Sequence, residues 1–242
     1  MIIFFFVIII YFIFFRSRKF KFNYIEHKKI KKFCQGYIYH DGNLIESSGL
    51  YNFSNIVKYS VKNPTLIKNK LKLPNNIFAE GIAKIDDKIL LLTWKEDKAF
   101  ILDYDTLKII KEIKGFNYKF NKNEGWGCTY DYDRNRIIVT DGSNKLYFLD
   151  SNKFNMISMI ETKYNKLNEI EYGNGYILAN VWKKDFILKM DPINGKIIEK
   201  ITFPFVKKNK NRGVLNGIAY NKKDNLWYIT GKNWSFFYEI TI

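Results

Sequence analysis

The chain is organised as short apolar runs, each bounded by glycine, asparagine, aspartate or lysine. Five of these runs begin directly after a residue with a polar or aromatic side chain: Gln35, Glu80, Trp126, Asn168 and Asn216. Successive members of this first series are 42 to 48 residues apart. A repeat of about 40–50 residues built from strand-like segments is typical of a β-propeller. Because equivalent positions of successive blades surround one axis, these five residues should lie together at one end of a central channel.

A second series follows the first by 13 to 16 residues, at the ends of the next strands. Its members are Ser48, Trp94, Asp141, Trp182 and Lys232. Two antiparallel strands joined by a tight turn place the start of one beside the end of the other. The second series should therefore line the same rim. The alternative is that these residues only mark turns at blade edges, but turns do not require two tryptophans.

The strand count predicts an all-β, five-bladed β-propeller. Each of the first four blades has four strand-like segments, the last has three, and hairpin signals such as Asp41-Gly42 separate them. The spare segment 23–33 can supply the missing strand, which would close the last blade and remove an exposed edge. We therefore predict one propeller domain over residues 23–242.

Composition favours strands, and the charge does not indicate a nucleic-acid partner. Of the 242 residues, 47% are hydrophobic and 18% aromatic, with many isoleucine, tyrosine and phenylalanine residues. The formal net charge is +16. The basic residues are scattered or grouped in loops, as over residues 207–212, and they follow no recognisable nucleic-acid motif. Weak attraction to acidic surfaces is the only partner effect that follows.

Residues 1–15 are an unbroken apolar run, followed by Arg16, Arg18 and Lys19. The run is shorter than a standard membrane span and has the length of a signal-peptide core. No basic side chain precedes it and no small-residue cleavage site follows, and its basic flank alone would indicate a cytosolic body. We interpret residues 1–22 as a signal peptide or signal anchor with a basic linker. This predicts the secretory pathway (endoplasmic reticulum lumen, secreted or membrane-anchored), with membrane contact only through this segment.

Two cysteines, Cys34 and Cys128, are too few for a disulfide scaffold. They fall in blades one and three, so we predict two separate buried thiols. His27 and His40 lie outside both series, and nothing supplies the clustered ligands of a zinc hydrolase.

An ordered set of short motifs runs through the chain from residue 33 onward. These are Phe33-Cys34-Gln35-Gly36, Glu46 to Tyr51, Phe78-Ala79-Glu80-Gly81-Ile82, Leu92 to Glu96, Glu124-Gly125-Trp126-Gly127, Asp141-Gly142-Ser143, Leu167-Asn168-Glu169, Ala179 to Trp182, Leu215 to Ala219 and Thr230-Gly231-Lys232. Singly they are weak, but in this order and spacing the set resembles the plant- and bacterial-type glutaminyl-peptide cyclotransferases. Cys34 and Ala79 depart from the family's common threonine and glycine.

The resemblance implies a five-bladed propeller that converts N-terminal glutamine of peptides and proteins to pyroglutamate and releases ammonia. It implies Glu80 as the catalytic acid/base. It places substrate-binding roles on Gln35, Phe78, Trp94, Trp126, Asn168, Trp182 and Lys232. No cofactor is expected for catalysis and no metal-ligating residues are assigned. Some family members hold calcium in the central channel, but this sequence shows no dedicated acidic cage. The expected state is a monomer, and the basic loop 206–212 could alter substrate access.

The residue types suit that chemistry, and two other functions compete with it. Glu80 is the only carboxylate of the first series and could carry the proton between the amine and the leaving nitrogen. Trp94 and Trp182 occupy equivalent places and could sandwich a glutamine side chain. One alternative is a non-catalytic propeller that binds peptides, which would have no need of Glu80. The other is a glycosidase with Asp141 as the second carboxylate, although Asp141-Gly142 is more typical of a turn.

Overall fold

The computed structural model describes residues 24–209 and 212–242, and within them the chain is a β-propeller. These residues form five sheets of four strands. The leader and linker predicted over residues 1–22 lie outside the described residues. No helix of the described part is long and apolar enough to cross a membrane.

Blades one to four each use four strands consecutive in the sequence. Blade one consists of β2 (Cys34–His40), β3 (Asn43–Ser48), β4 (Asn55–Ser60) and β5 (Asn63–Lys72), and blade two of β6 (Ala79–Ile85), β7 (Lys88–Thr93), β8 (Lys98–Asp103) and β9 (Ile109–Lys114). Blade three consists of β10 (Cys128–Asp131), β11 (Arg136–Val139), β12 (Lys145–Asp150) and β13 (Met156–Glu161). Blade four consists of β14 (Leu167–Gly173), β15 (Tyr176–Val181), β16 (Ile187–Met190) and β17 (Ile197–Ile201). A short 3-10 helix, Asn117–Lys119, lies between blades two and three.

Blade five closes the ring as the sequence predicted. It contains β18 (Leu215–Asn221), β19 (Leu226–Gly231), β20 (Phe236–Ile240) and β1 (Tyr24–Lys28). Strand β1 pairs antiparallel with β20, with Tyr24 opposite Ile240 and Lys28 opposite Phe236. The first strand of the described chain therefore covers the edge that the last strand would otherwise expose.

Burial falls from the channel outward. The inner strands β2, β6, β10, β14 and β18 are almost fully buried, whereas the outer strands β5, β9, β13 and β17 are largely exposed. The described residues form five apolar clusters, each at the boundary between two neighbouring blades. The cluster between blades five and one includes Cys34, Tyr37, Tyr228 and Phe237. The ring is thus closed by packing as well as by strand pairing.

A buried ion pair joins the segment after β1 to blade one. The Lys29 ammonium donates to both carboxylate oxygens of Glu46, at 3.0 and 2.9 Å. Both side chains are fully buried. The Tyr59 hydroxyl also donates to Glu46, at 3.2 Å. The Glu46 carboxylate therefore keeps its cationic partner only while the closing segment stays in place.

The interpretation of residues 206–212 as a loop is wrong for the first part of that segment. Helix α1 spans Pro204–Asn209. Proline suits a first helical position because its missing N–H would have no partner there. Phe205 and Val206 are buried against blade five, and the Asn209 amide donates to the Tyr238 hydroxyl at 2.7 Å. Apolar anchoring therefore outweighs the basic composition, while residues 210 and 211 lie outside the described part.

Both cysteine predictions are confirmed. Cys34 and Cys128 are free and buried. Cys34 packs between blades five and one, and Cys128 packs between blades two and three.

Candidate active site

The first series lies at the start of the inner strands, where the strand register is interrupted. The pairing of inner and second strands shifts at Gln35, at Glu80, at Asn168 and at Asn216. Such bulges re-aim a side chain and end regular pairing. Trp126 lies just before β10 and takes the equivalent place in blade three. The structure therefore brings the first series to one end of the channel, as the repeat predicted.

Hydroxyl groups from the second strands hold the first series of the next blade. The Ser47 hydroxyl in blade one donates to the backbone carbonyl of Glu80, at 2.5 Å. The Thr140 hydroxyl in blade three donates to the backbone carbonyl of Asn168, at 2.7 Å. Glu80 and Asn168 are thus each positioned by a neighbouring blade as well as by their own.

Glycine lets the blade entrances approach one another. The Gly81 N–H donates to the Trp126 carbonyl at 2.6 Å, and a Cβ on Gly81 would lie 2.6 Å from that same oxygen. A Cβ on Gly127 would collide with the backbone carbonyl of Asn168. Larger residues at these positions would push the blades apart. The glycines after Glu80 and Trp126 therefore bring both side chains to a common entrance.

Glu80 is buried, and its surroundings raise its pKa. It is only 5% exposed, and its carboxylate accepts a hydrogen bond from Gln35 Nε2 at 3.1 Å. Burial raises the pKa of Glu80 well above its usual range; the Lys232 ammonium opposes this rise, and the negative charges of Glu96 and Glu124 add to it. The carboxyl therefore keeps its proton to a higher pH than an exposed glutamate would.

Lys232 is the cation that faces Glu80. It is 8% exposed, burial lowers its pKa, and the nearby Glu80 charge acts in the opposite direction. Its ammonium lies 5.0 Å from the centre of the Phe33 ring. The site thus contains a coupled acid and base, as expected where proton transfer is needed.

Aromatic rings form the rest of the entrance. Phe78 packs against Trp94, with ring centres 5.4 Å apart. Trp126 meets Trp182 edge-on, with ring centres 6.0 Å apart. Tyr51, which is 40% exposed, extends this surface onto Phe78 at 5.4 Å. These side chains are apolar and partly exposed, which suits a binding surface better than a core.

Glu124 is a functional candidate that sequence reasoning missed. Its Oε2 accepts the indole N–H of Trp94 at 2.9 Å and that of Trp126 at 2.8 Å. Its Oε1 lies 3.7 Å from the Lys95 ammonium. Glu124 lies in the loop before β10 and belongs to neither series, so the repeat gave it no role. The signal in the sequence was its position two residues before Trp126, in the motif Glu124-Gly125-Trp126-Gly127.

Asp141 is a turn residue, as its sequence context indicated. Its Oδ1 accepts the Ser143 N–H at 3.0 Å, while its Oδ2 accepts the Lys122 N–H at 3.0 Å and the Tyr147 hydroxyl at 2.9 Å. Gly142 follows with φ +74° and lies against the Trp126 ring. Both carboxylate oxygens are thus occupied by structural bonds, which argues against Asp141 as the second carboxylate of a glycosidase.

The opposite end of the channel has a separate cavity of about 690 Å³. It is lined by the far ends of the inner strands and the hairpins that follow them, including Tyr39, Lys84, Tyr132, Glu171 and Tyr220. None of the predicted site residues lines it. The described residues hold no group of three or more His, Cys, Asp or Glu side chains placed to bind a metal.

Comparison with known proteins identifies the family. The sequence model of a family described as glutamine cyclotransferase matches residues 21–242. The chain belongs to the glutamine cyclotransferase family. Every candidate site residue lies inside the matched region, and the resemblance noted from the motifs is therefore confirmed.

Two relatives are similar to the chain in sequence, and one more distant protein shares only its fold. It is 29% identical over 222 residues to a glutaminyl-peptide cyclotransferase of Arabidopsis thaliana, a match that covers 87% of this chain and 67% of that protein. The crystal structure of Myxococcus xanthus glutaminyl cyclase matches with a TM-score of 0.79 and 25% identity, covering 89% of this chain and 93% of the other. The WD40 propeller domain of Doa1 matches with a TM-score of 0.51, 12% identity and coverage of 85% and 62%, and shows only the shared fold.

Proposed function

We propose that this member of the glutamine cyclotransferase family is a glutaminyl-peptide cyclotransferase, which converts N-terminal glutamine to pyroglutamate and releases ammonia. Family membership and the names of the two relatives support this function. The single observation that carries it is Glu80, a buried carboxyl with a raised pKa at an entrance lined by aromatic rings.

The reaction is an intramolecular aminolysis. The α-amine attacks the side-chain amide carbon, one C–N bond forms to close the five-membered lactam, and the original C–N bond breaks. The amine must lose a proton, and the departing nitrogen must gain one to leave as ammonia. A free α-amine has a pKa of about 7.7–8.0, so the nucleophile needs little activation near neutrality. The main requirement is a group that delivers a proton to the leaving nitrogen.

Glu80 can carry this proton in both directions. Its raised pKa keeps the carboxyl protonated at a pH where exposed glutamates are ionised. It can give that proton to the leaving nitrogen and recover one from the attacking amine, so that the enzyme ends the cycle unchanged. The Gln35 amide, which donates to Glu80 at 3.1 Å, fixes the carboxyl for this exchange. Orienting the amine against the carbonyl adds to the rate, since oriented intramolecular reactions gain several kcal/mol.

The amide side chains can hold the substrate. Gln35 Oε1 is buried and has no hydrogen-bond partner among the described residues, so it can accept from the substrate's amine or amide N–H. Asn168 is 2% exposed at the equivalent place in blade four and can donate to the developing oxyanion. Lys232 can stabilise the same negative charge. Phe78, Trp94, Trp126 and Trp182 can cover the glutamine stem and exclude water.

We expect Trp94→Ala and Trp182→Ala to weaken substrate binding. Each variant should raise KM about tenfold, the equivalent of roughly 1.4 kcal/mol, because an apolar wall of the entrance is lost. The value of kcat should change less, since neither indole carries a proton of the reaction. Steady-state kinetics with a glutamine-initiated peptide measure both. Tyr118→Ala, which removes a 71% exposed ring, is the control; unchanged KM in both tryptophan variants would contradict their binding role.

We expect Lys232→Met to move the pH dependence of activity to higher pH. The Lys232 charge favours ionised Glu80 and so lowers the pKa of that carboxyl. Without it, the pKa of Glu80 rises further. Because the protonated carboxyl is the form that gives its proton to the leaving nitrogen, the alkaline limb of kcat/KM should shift upward in pH. The control is Lys222→Met, which makes the same charge change at the opposite end of the channel. A shift to lower pH, or equal shifts in both variants, would contradict the coupling.

Ammonia release tests the function itself. Purified protein is incubated with a glutamine-initiated peptide and with the same peptide acetylated at its α-amine. We expect ammonia from the free peptide only, because acetylation removes the nucleophile. Binding of the free peptide without ammonia release would instead identify a non-catalytic peptide-binding propeller.

Calcium in the channel stays a prediction that no step of the reaction uses. Three buried side-chain oxygens on channel-lining strands lack a hydrogen-bond partner among the described residues: Gln35 Oε1, Glu169 Oε2 and Asn216 Oδ1. Oxygen donors suit calcium, which takes about six to eight of them. Because the substrate would use Gln35 Oε1, Glu169 and Asn216 are the residues that would hold the ion if it binds, and the ion would supply only charge balance for Glu169.

The proposed setting is the secretory pathway, with peptides and proteins that expose an N-terminal glutamine as substrates. The support is the apolar run over residues 1–15, which resembles a signal-peptide core. N-terminal glutamine arises mainly when a precursor is cleaved, which suits secretory cargo. A monomeric state without a nucleic-acid partner also stays a prediction.

A further inference from the structure

We propose that Glu124 is a positioning residue of this reaction, whose carboxylate holds the indoles of Trp94 and Trp126 in one wall at the channel entrance. The proposal rests on the proposed function. Both indole N–H groups donate to the same oxygen, at 2.9 and 2.8 Å. An indole N–H is a donor only, so each ring can be fixed in this way by an acceptor.

The carboxylate connects two blades. Trp94 follows β7 in blade two, and Trp126 precedes β10 in blade three. Trp94 packs against Phe78, and Trp126 packs against Trp182. Without Glu124, these would be two separate aromatic pairs; with it, they form one continuous wall. A shift of either indole would therefore change the space offered to the glutamine side chain.

Lys95 completes the arrangement. Its ammonium lies 3.7 Å from Glu124 Oε1 and 4.1 Å from the centre of the Trp94 ring. Glu124 is still 20% exposed. The carboxylate is thus held on both oxygens, by two indoles on one and by a cation on the other. Hydrogen bonds to charged groups are stronger than those between neutral groups. The two bonds to Glu124 therefore hold both indole rings in a fixed orientation.

Glu124 also contributes to the electrostatic environment of Glu80. The groups that face Glu80 are Gln35, which donates a hydrogen bond, and the charged side chains of Lys232, Glu96 and Glu124. The negative charge of Glu124 disfavours ionised Glu80 and helps to raise its pKa. Removing that charge should therefore lower the pKa of Glu80. A residue with a purely structural role would leave the pH dependence unchanged.

Two conservative variants separate the reach of the side chain from its charge. Glu124→Asp keeps the charge but is one methylene shorter, so it cannot reach both indoles. We expect kcat/KM to fall about ten- to a hundredfold, mainly through KM, with the alkaline limb of the pH profile unchanged. Glu124→Gln keeps an acceptor at the same reach but loses the charge. Its KM should stay closer to that of the unchanged protein, while the alkaline limb moves to lower pH.

A readout independent of turnover follows the indoles directly. Nuclear magnetic resonance of the ¹⁵N-labelled protein resolves the indole N–H signals, and Trp→Phe variants assign them. In Glu124→Asp, the signals of Trp94 and Trp126 should move upfield and exchange faster with water. The signals of Trp227 and Trp234 should not move, since both rings are buried in blade five. Glu112→Asp is the control, because this carboxylate lies on the outer strand β9 and pairs with Lys98 at 3.0 Å.

The outcomes distinguish this proposal from the proposed function. If the unchanged protein releases no ammonia from a glutamine-initiated peptide, the function fails and the positioning role falls with it. If the unchanged protein is active while both Glu124 variants keep its KM, its alkaline limb and its indole signals, only the positioning role is overturned. A raised KM with displaced indole signals in Glu124→Asp, together with an alkaline limb moved to lower pH in Glu124→Gln, supports it.

Discussion

Glu80→Gln should abolish turnover while leaving the propeller folded. Glutamine has the same shape as glutamate, and its carbonyl can still accept the hydrogen bond that Gln35 donates at 3.1 Å. It cannot exchange a proton with the amine and the leaving nitrogen. General acid–base catalysis contributes about 10²–10⁴-fold, so kcat should fall by at least that factor. Stopped assays of pyroglutamyl product over long incubations measure the residual rate.

Binding and stability measurements distinguish a loss of proton transfer from a loss of substrate binding or folding. The peptide should bind the variant with nearly unchanged affinity by calorimetry, and the thermal unfolding midpoint should not fall. Glu161→Gln is the matched control, because it makes the same substitution on the outer strand β13. The Glu161 side chain is 61% exposed, and its Oε1 lies 3.8 Å from the Lys145 ammonium. Near-normal cyclisation by Glu80→Gln would remove this carboxyl from the mechanism.

Lys29→Met should lower the free energy of unfolding by about 3–5 kcal/mol, because it leaves the Glu46 charge buried without its partner. Lys29 donates to both Glu46 oxygens from the segment that follows the closing strand β1. The substitution therefore removes a contact between the last blade and the first. Urea denaturation followed by circular dichroism measures the loss.

The double variant Lys29→Met/Glu46→Gln tests the cause of that loss. Neutralising both partners removes the isolated charge, so stability should recover in part. Lys145→Met, which removes a cation from a partly exposed pair on blade three, should change stability by less than about 1 kcal/mol. A loss that small in Lys29→Met would show that the buried pair does not secure ring closure.

The repeat in the sequence predicted the ring because blade position is encoded locally. Gln35, Glu80 and Asn168 each mark the start of an inner strand, and their spacing depends only on the length of a blade. The closing strand was also predictable, since four segments per blade left one place for the spare segment. The roles assigned to the individual site residues remain predictions, which the variants above test.

Other features depend on contacts between distant residues, which one sequence does not reveal. Glu124 gains its importance from indoles in two different blades, one of them thirty positions away. Lys29 and Glu46 meet only because the ring closes. Helix α1 forms where the composition indicated a basic loop, because Phe205 and Val206 find apolar partners in blade five. The periodicity of the sequence predicts none of these three features, since each depends on packing between distant residues.

The most direct test of the account is the mass of a peptide after incubation with the purified protein. Two peptides of the same composition are compared, one with glutamine at its N-terminus and one with that glutamine at the second position. We predict that the first loses the mass of one ammonia and the second is unchanged, since only an N-terminal glutamine can form the five-membered lactam. An unchanged mass for both peptides, at a protein concentration that binds the first, would contradict the central claim that this entrance catalyses cyclisation.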